Sequence, residues 1–217
     1  MAEEVRTAPA PIADPAPLGL AAFALTTFLL SAKNAGWMSS ASGLAFLGYA
    51  FGYGGLVQLL AGMWEFRNRN VFGATAFASY GGFWIGLYFW VQDVGGGLLA
   101  KNDVAAFNHD LGWILLAFAI FNAYMLIMST QVNMAVFLVF LTLQLTEIVG
   151  AIANFEAGSA AAPTGAIKAA GYIGIVTAVV AWYASAAGVA NGMTASRIRL
   201  PVGPRLLTAT TAPDAIS

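Results

Sequence analysis

The chain is dominated by about six long, nearly uninterrupted apolar runs, and this pattern limits the folds open to it. The runs are Leu18–Ala32, Ser40–Trp64, Phe72–Val91, Leu111–Met128, Met134–Ala153 and Ile167–Met193. Each approaches the roughly 20 apolar residues that a helix needs to cross a bilayer. The first run is short, and residues near Pro17 or Asn34 are expected to lengthen it. A transmembrane barrel would alternate apolar and polar side chains in short segments. These runs do not alternate, so the sequence predicts helices. Composition agrees: 59% of the 217 residues are hydrophobic and 9% are charged, against about 25% charged in a soluble domain. The expected fold class is all-α, a polytopic membrane protein built as a six-transmembrane-helix bundle of single-domain size.

The breaks hold the charges and turn formers. They are Lys33-Asn34, Glu65 through Asn70, Asp93 to Asp110, Ser129 to Asn133, and Asn154 to Pro163. The tight break at Ser129–Asn133 predicts an antiparallel hairpin of the fourth and fifth helices. The stretch from about Gln92 to Asp110, with Gly95-Gly96-Gly97, predicts the longest and most mobile loop. Residues 1–13 lack the charged and apolar order of a signal peptide and read as a flexible tail. Residues 14–200 form the transmembrane domain, and 201–217 read as a second flexible tail. Six spans put both termini on one side. Arg6, Arg67, Arg69, Arg197, Arg199 and Arg205 would share that side, against Lys33, Lys101 and Lys168 on the other. The positive-inside rule then makes both termini cytoplasmic, in a cell (inner) membrane.

Enzyme and cofactor signatures are missing. There is no cysteine, and one histidine, His109, stands beside Asp110. No histidine pair lies in the spans to hold a haem, no lysine lies mid-span in the last one, and no glycine-rich phosphate loop occurs. The sequence therefore predicts no enzyme, no metal, no cofactor and, at a net charge of −1 without a large basic cluster, no nucleic-acid partner.

Small residues recur at helix-contact spacing, including Gly48-x-x-x-Gly52 and the series Gly171, Gly174, Ala178, Ala181 and Ala187. They suit either packing within one bundle or contacts between subunits. Polar residues inside the spans are few. Thr26 and Thr75 can satisfy their hydroxyls on their own helix. Gln58, Asn122 and Gln144 each carry an amide that needs a partner on another helix or along a watery path, so all five are candidates for a polar route. Glu147 reads as the only carboxylate well inside a span, and an intramembrane ionisable group is a functional hypothesis by default. It is a candidate proton carrier, or a neutral group bonded to a neighbouring helix. Tyr80 offers a ring beside a hydroxyl, the pair a small carboxylate needs; Phe77 and Trp84, on nearly the same face, read as packing residues.

The sequence resembles the acetate uptake (succinate–acetate permease) family. Asp14-Pro15-Ala16-Pro17-Leu18-Gly19-Leu20 is similar to its opening N-P-A-P-L-G-L motif, with Asp14 in place of asparagine. Phe72 to Phe83 is similar to its F-G-x-T-A-F-x-S-Y-G-x-F segment, and Gly54-Gly55-Leu56-Val57-Gln58 to its second helix. The resemblance implies a six-helix protomer that assembles as a hexamer, each with its own path for acetate and similar acids. It implies a constriction at the positions of Phe23, Tyr80 and Leu141, and an entry motif at Asp14, Pro15, Pro17, Leu18 and Gly19. Glu147 lies where the family usually has an apolar residue. The expected function is a transporter or channel for acetate and related short-chain carboxylates, with succinate and proton coupling open. The alternatives are a channel or permease for formate or ammonium, or a non-transporting sensor or assembly protein.

Overall fold

A computed structural model describes residues 12–39, 45–160 and 162–207. Six long helices run through it: α1 (Ala16–Asn34), α2 (Phe46–Arg67), α3 (Val71–Phe89), α4 (Val104–Ser129), α5 (Met134–Ala157) and α6 (Gly165–Gly192). No strand occurs among the described residues. All but α3 are by themselves long and apolar enough to cross a membrane. The helix α3 is rich in Gly, Ala and aromatic residues. Its buried face carries Ala74, Phe77, Tyr80, Phe83 and Trp84. Large apolar side chains such as Leu60, Ile120, Ile127 and Val179 are exposed around the outside, as lipid requires.

Local chemistry sets the helix starts. Asn70, Asp103, Asn133 and Thr164 each stand just before a helix and accept a hydrogen bond from a first-turn N–H, satisfying one of the groups a helix leaves open. At α1, Asp14 accepts from the Ala16 N–H at 2.9 Å. The first apolar run does lengthen at both ends, to Ala16 and to Asn34. Residues 40–44, where the second run was expected to begin, lie outside the described residues.

The helices α1 and α6 pack most extensively on each other, and α5 contacts both α4 and α6. Glycine makes the first of these contacts close. A Cβ on Gly171 would lie 2.5 Å from the Ala35 nitrogen and 2.8 Å from the Ser31 carbonyl oxygen, so the α1 and α6 backbones meet with no room for a side chain. Gly62 and Gly81 play the same part between α2 and α3. Gly48 and Gly52, by contrast, have nothing within 4 Å of a Cβ and face away from the bundle. Their spacing does not serve packing within the protomer.

Several boundaries differ from the sequence expectation. Helical structure continues through the predicted mobile loop. After α3 the chain forms a π-helical stretch, Trp90–Gly95, and a short helix, Gly96–Ala100, before α4 begins at Val104. A Cβ on Gly95 would meet the Phe107 ring at 2.9 Å, so this glycine serves close packing on α4, while Gly97 has open space beside it. His109 and Asp110 accordingly lie in the first turns of α4, exposed. Glu65 and Arg67 lie inside α2, and Asn154 inside α5. Glu65 is fully buried, so Glu147 is not the only carboxylate within a span. Gly73 explains the room for it, since a Cβ there would lie 2.6 Å from Glu65 Oε1.

Residues 201–207, the start of the expected C-terminal tail, are bonded to neighbouring parts of the bundle. Ala135 N donates to the Val202 carbonyl at 2.9 Å, the Tyr183 hydroxyl to Pro201 O at 2.6 Å, and the Leu206 N–H to Thr130 O at 2.9 Å. Asn191 holds the turn before it, donating to Leu200 O at 2.8 Å and accepting from the Leu200 N–H at 3.1 Å. Backbone bonds to neighbouring helices fix this segment without any helical period of its own. Residues 1–11 and 208–217, which the tail expectations also cover, lie outside the described residues.

Candidate functional site

The interior of the bundle holds a cavity of about 90 Å³ to which all six long helices contribute lining residues, α2 through Phe46. A water molecule occupies roughly 10–15 Å³ of such volume, so the space suits a solute of a few non-hydrogen atoms. Phe23, Phe46, Phe83, Leu87, Leu115 and Leu143 supply much of its apolar lining. Lys33 and Glu147 are the charged residues in the lining. A second cavity of about 560 Å³ adjoins it toward the C-terminal end of α1 and shares Lys33, Asn34, Phe107, Leu111, Asn154 and Ile167 with it. Lys168 also lines this outer vestibule. Neither lysine makes a salt bridge among the described residues.

Phe23 and Tyr80, expected at a constriction, do meet. Their rings stand edge to face with centroids 5.7 Å apart, and both line the inner cavity. Leu141 does not join them. It is half-buried and absent from the lining, whereas Leu143 is buried and lines the cavity. Two residues turn an α-helix by about 200°, so the leucine two positions on presents the opposite face of α5.

The Tyr80 hydroxyl lies 2.9 Å from Asn122 Oδ1 and 3.3 Å from Glu147 Oε1. Asn122, fully buried, donates to Phe140 O at 3.0 Å and to Gln144 Oε1 at 2.9 Å. Gln144 in turn donates to Ala119 O at 3.1 Å. Asn122 and Gln144 therefore tie α4 to α5 behind Tyr80 and are absent from the cavity lining. They position the tyrosine. Thr26 is buried, bonds to Ala22 O of its own helix at 3.0 Å and packs where a Cβ on Gly54 would fall 2.5 Å from its hydroxyl. Gln58 is buried in α2 away from the cavity, with its Oε1 unpartnered, and Thr75 is half-buried outside the lining.

In the entry motif, Asp14 accepts from the Ala16 N–H ahead of α1, and Ser185 of α6 donates to Pro17 O at 2.6 Å. Gly19 admits the Phe77 ring, which a Cβ would meet at 2.7 Å, and Leu18 is exposed. The motif thus docks the start of α1 on α3 and α6, and it does not line either cavity.

The sequence reading took Trp84 for a packing residue and did not single out Thr27 as a site residue. Each is at least nine-tenths buried, each lines the inner cavity, and the Thr27 hydroxyl and Trp84 Nε1 have no hydrogen-bond partner. Glu147 Oε2 is the third unpartnered buried polar atom contributed by a lining residue. The available signal was faint: Trp84 falls one helical turn from Tyr80, and Thr27 one turn from Phe23.

Comparison with known proteins places these features in a family. The profile described as "GPR1/FUN34/yaaH family" matches residues 3–204. The chain is 46% identical over 188 residues to "Acetate permease A" of Emericella nidulans, covering 82% of this chain and 62% of that protein. It is 38% identical to "Ammonia transport outward protein 2" of Saccharomyces cerevisiae, covering 85% of this chain and 65% of that protein. The chain thus spans under two thirds of the length of these two relatives. Among solved structures it resembles "the bacterial acetate channel SatP", with a TM-score of 0.74 at 30% identity, covering 88% of this chain and 99% of that one.

Proposed function

The chain belongs to the GPR1/FUN34/yaaH family, and on that premise we propose that it is an integral membrane pathway for acetate and related short-chain carboxylates. The observation that carries the reading is the paired cavity, with two lysines in an outer vestibule and a small, mostly apolar chamber beyond it that ends on Tyr80 and Glu147. Lysines at a mouth raise the local concentration of anions. The chamber then favours small monocarboxylates, because each further carboxylate taken out of water costs several kcal/mol. The names of an acetate permease and an acetate channel among its relatives support this reading. The role is passage rather than catalysis.

Both termini face the cytoplasm in this reading. Lys33 and Lys168, the vestibule lysines, then lie on the outer side, and the arginine-bearing ends of α2 and α6 lie inside, as the positive-inside rule requires. The protein assembles as a homo-oligomer, a hexamer by family resemblance. Gly48 and Gly52, which face away from the bundle, supply small-residue surface for the contact.

Passage of ammonium is the second reading, favoured by the relative named for ammonia transport. The experiment that separates the two is uptake into proteoliposomes holding the purified chain, with radiolabelled acetate, formate and methylammonium compared against empty vesicles. Protein-dependent acetate uptake is expected. Uptake of methylammonium alone would reject the carboxylate reading.

A further inference from the structure

Three buried polar atoms around the inner cavity have no partner among the described residues: Thr27 Oγ1 from α1, Trp84 Nε1 from α3 and Glu147 Oε2 from α5. Two other buried oxygens, Gln58 Oε1 and Glu65 Oε1, are also unpartnered but lie outside this chamber, whereas these three share it. Thr26, Thr142, Thr146 and Thr177 each bond to a carbonyl of their own helix. Thr27, one residue from Thr26, does not. A buried donor or acceptor left unmatched is costly, and three such atoms from three helices around one chamber describe a ligand that would complete them.

Their chemistry selects the ligand. The indole N–H of Trp84 can only donate, and the Thr27 hydroxyl has a proton to give. Two donors match the two oxygens of a carboxylate. An ammonium ion, which only donates, would find an indole N–H it cannot use. Glu147 fits a carboxylate when one proton lies between the two carboxyl groups, and such charge-assisted O–H···O bonds are short and strong. No lysine or arginine forms a salt bridge with Glu147 among the described residues. Of the groups facing it, Tyr80 comes from α3, the uncharged Asn122 stands behind that tyrosine on α4, and Lys33 of α1 lines the same chamber. Thr146 and Thr177 bond to each other at 3.0 Å between α5 and α6, adding no charge.

We propose that Thr27, Trp84 and Glu147 form the carboxyl-binding site of the pathway. The Thr27 hydroxyl and the Trp84 N–H donate to the substrate oxygens, and one proton is shared between the substrate carboxyl and Glu147 Oε2. The proton balance is simple. As the O–H bond of an entering acid lengthens, an Oε2–H bond forms, and the pair keeps one proton and one negative charge whichever partner brought the proton. Tyr80 reads the outcome, since its single hydroxyl proton faces both Asn122 Oδ1 at 2.9 Å and Glu147 Oε1 at 3.3 Å and can satisfy only one of them at a time. The site rests on the carboxylate reading given above and assigns to it the groups that hold the substrate.

The test is equilibrium binding of radiolabelled acetate to the purified full chain between about pH 5 and 9, since sharing one proton makes affinity fall by about tenfold per pH unit once both carboxyls are ionised. The wild type and Glu147→Asp are expected to show that alkaline limb. Glu147→Gln is expected to bind with no such limb, because its amide donates to a carboxylate without needing a proton. Trp84→Phe and Thr27→Val, which keep bulk and remove a donor, are expected to weaken binding at least several-fold while the pH slope stays. Circular dichroism and gel filtration verify that each variant is folded. An alkaline limb unchanged in Glu147→Gln, or wild-type affinity in both donor variants, would overturn the site while leaving the carboxylate pathway standing. No acetate binding by the wild type at any pH would overturn both.

Discussion

The rings of Phe23 and Tyr80 meet edge to face with centroids 5.7 Å apart, bringing α1 and α3 together at the wall of the inner cavity. Tyr80 is held in that position from behind, through its hydroxyl contact with Asn122 at 2.9 Å and the rings of Phe118 and Phe121. Both rings line the chamber, while Asn122, Phe118 and Phe121, which hold Tyr80 from behind, do not.

Selectivity by size should follow Leu143 and not Leu141. Leu143→Ala and Phe23→Ala enlarge the chamber and are expected to admit lactate and succinate alongside acetate in proteoliposome uptake. Leu141→Ala is expected to leave the ratio of lactate to acetate unchanged. A larger effect from Leu141 would mean that α5 presents its other face to the path.

Loss of the Tyr80 hydroxyl should act on both stability and passage. Tyr80→Phe keeps the ring against Phe23 but leaves Asn122 Oδ1 without its donor, at a cost of about 1–3 kcal/mol for an unmatched buried group. The expected result is a lower thermal midpoint and slower acetate uptake, with size selection retained. Asn122→Ala should reproduce the stability loss, because it strands the partners at Phe140 O and Gln144.

The vestibule lysines should govern capture more than turnover. Lys33→Gln and Lys168→Gln are each expected to raise the acetate concentration for half-maximal uptake at low salt, with little change in the maximal rate. The difference from wild type should shrink as ionic strength rises and the Debye length falls to about 8 Å at 0.15 M. An effect independent of salt would assign the lysines a role other than steering.

Glycines on different faces of their helices should differ sharply in tolerance. Gly171→Val forces a side chain into the Ala35 and Ser31 backbone and is expected to destabilise the fold by about 1–3 kcal/mol or more, as overpacking does. Gly48→Val and Gly52→Val meet open space in the protomer and should leave its helicity intact. Their effect, measured by gel filtration and cross-linking in mild detergent, is expected on the assembly.

The sequence determined the class of the molecule and the helices. Apolar length decides whether a segment prefers lipid, and the charges and turn formers between the runs mark where one helix gives way to the next. It also flagged Tyr80 and Glu147, since a hydroxyl or a carboxyl in an apolar run must be answered by something. Boundaries were less legible. Glu65 reads as a loop charge until Gly73 is seen to make room for it, and Gly95-Gly96-Gly97 reads as a flexible loop until Phe107 is seen against Gly95. The tertiary structure alone decided which polar groups are answered. Thr26 and Thr27 are adjacent and chemically identical, yet one is satisfied on its own helix and the other faces a cavity without a partner. Leu141 and Leu143 differ only in which side of α5 they occupy. Such distinctions depend on the rotation of each helix about its axis. That rotation is set by close contacts between distant segments, such as Gly171 on Ala35, which no local pattern in the chain encodes.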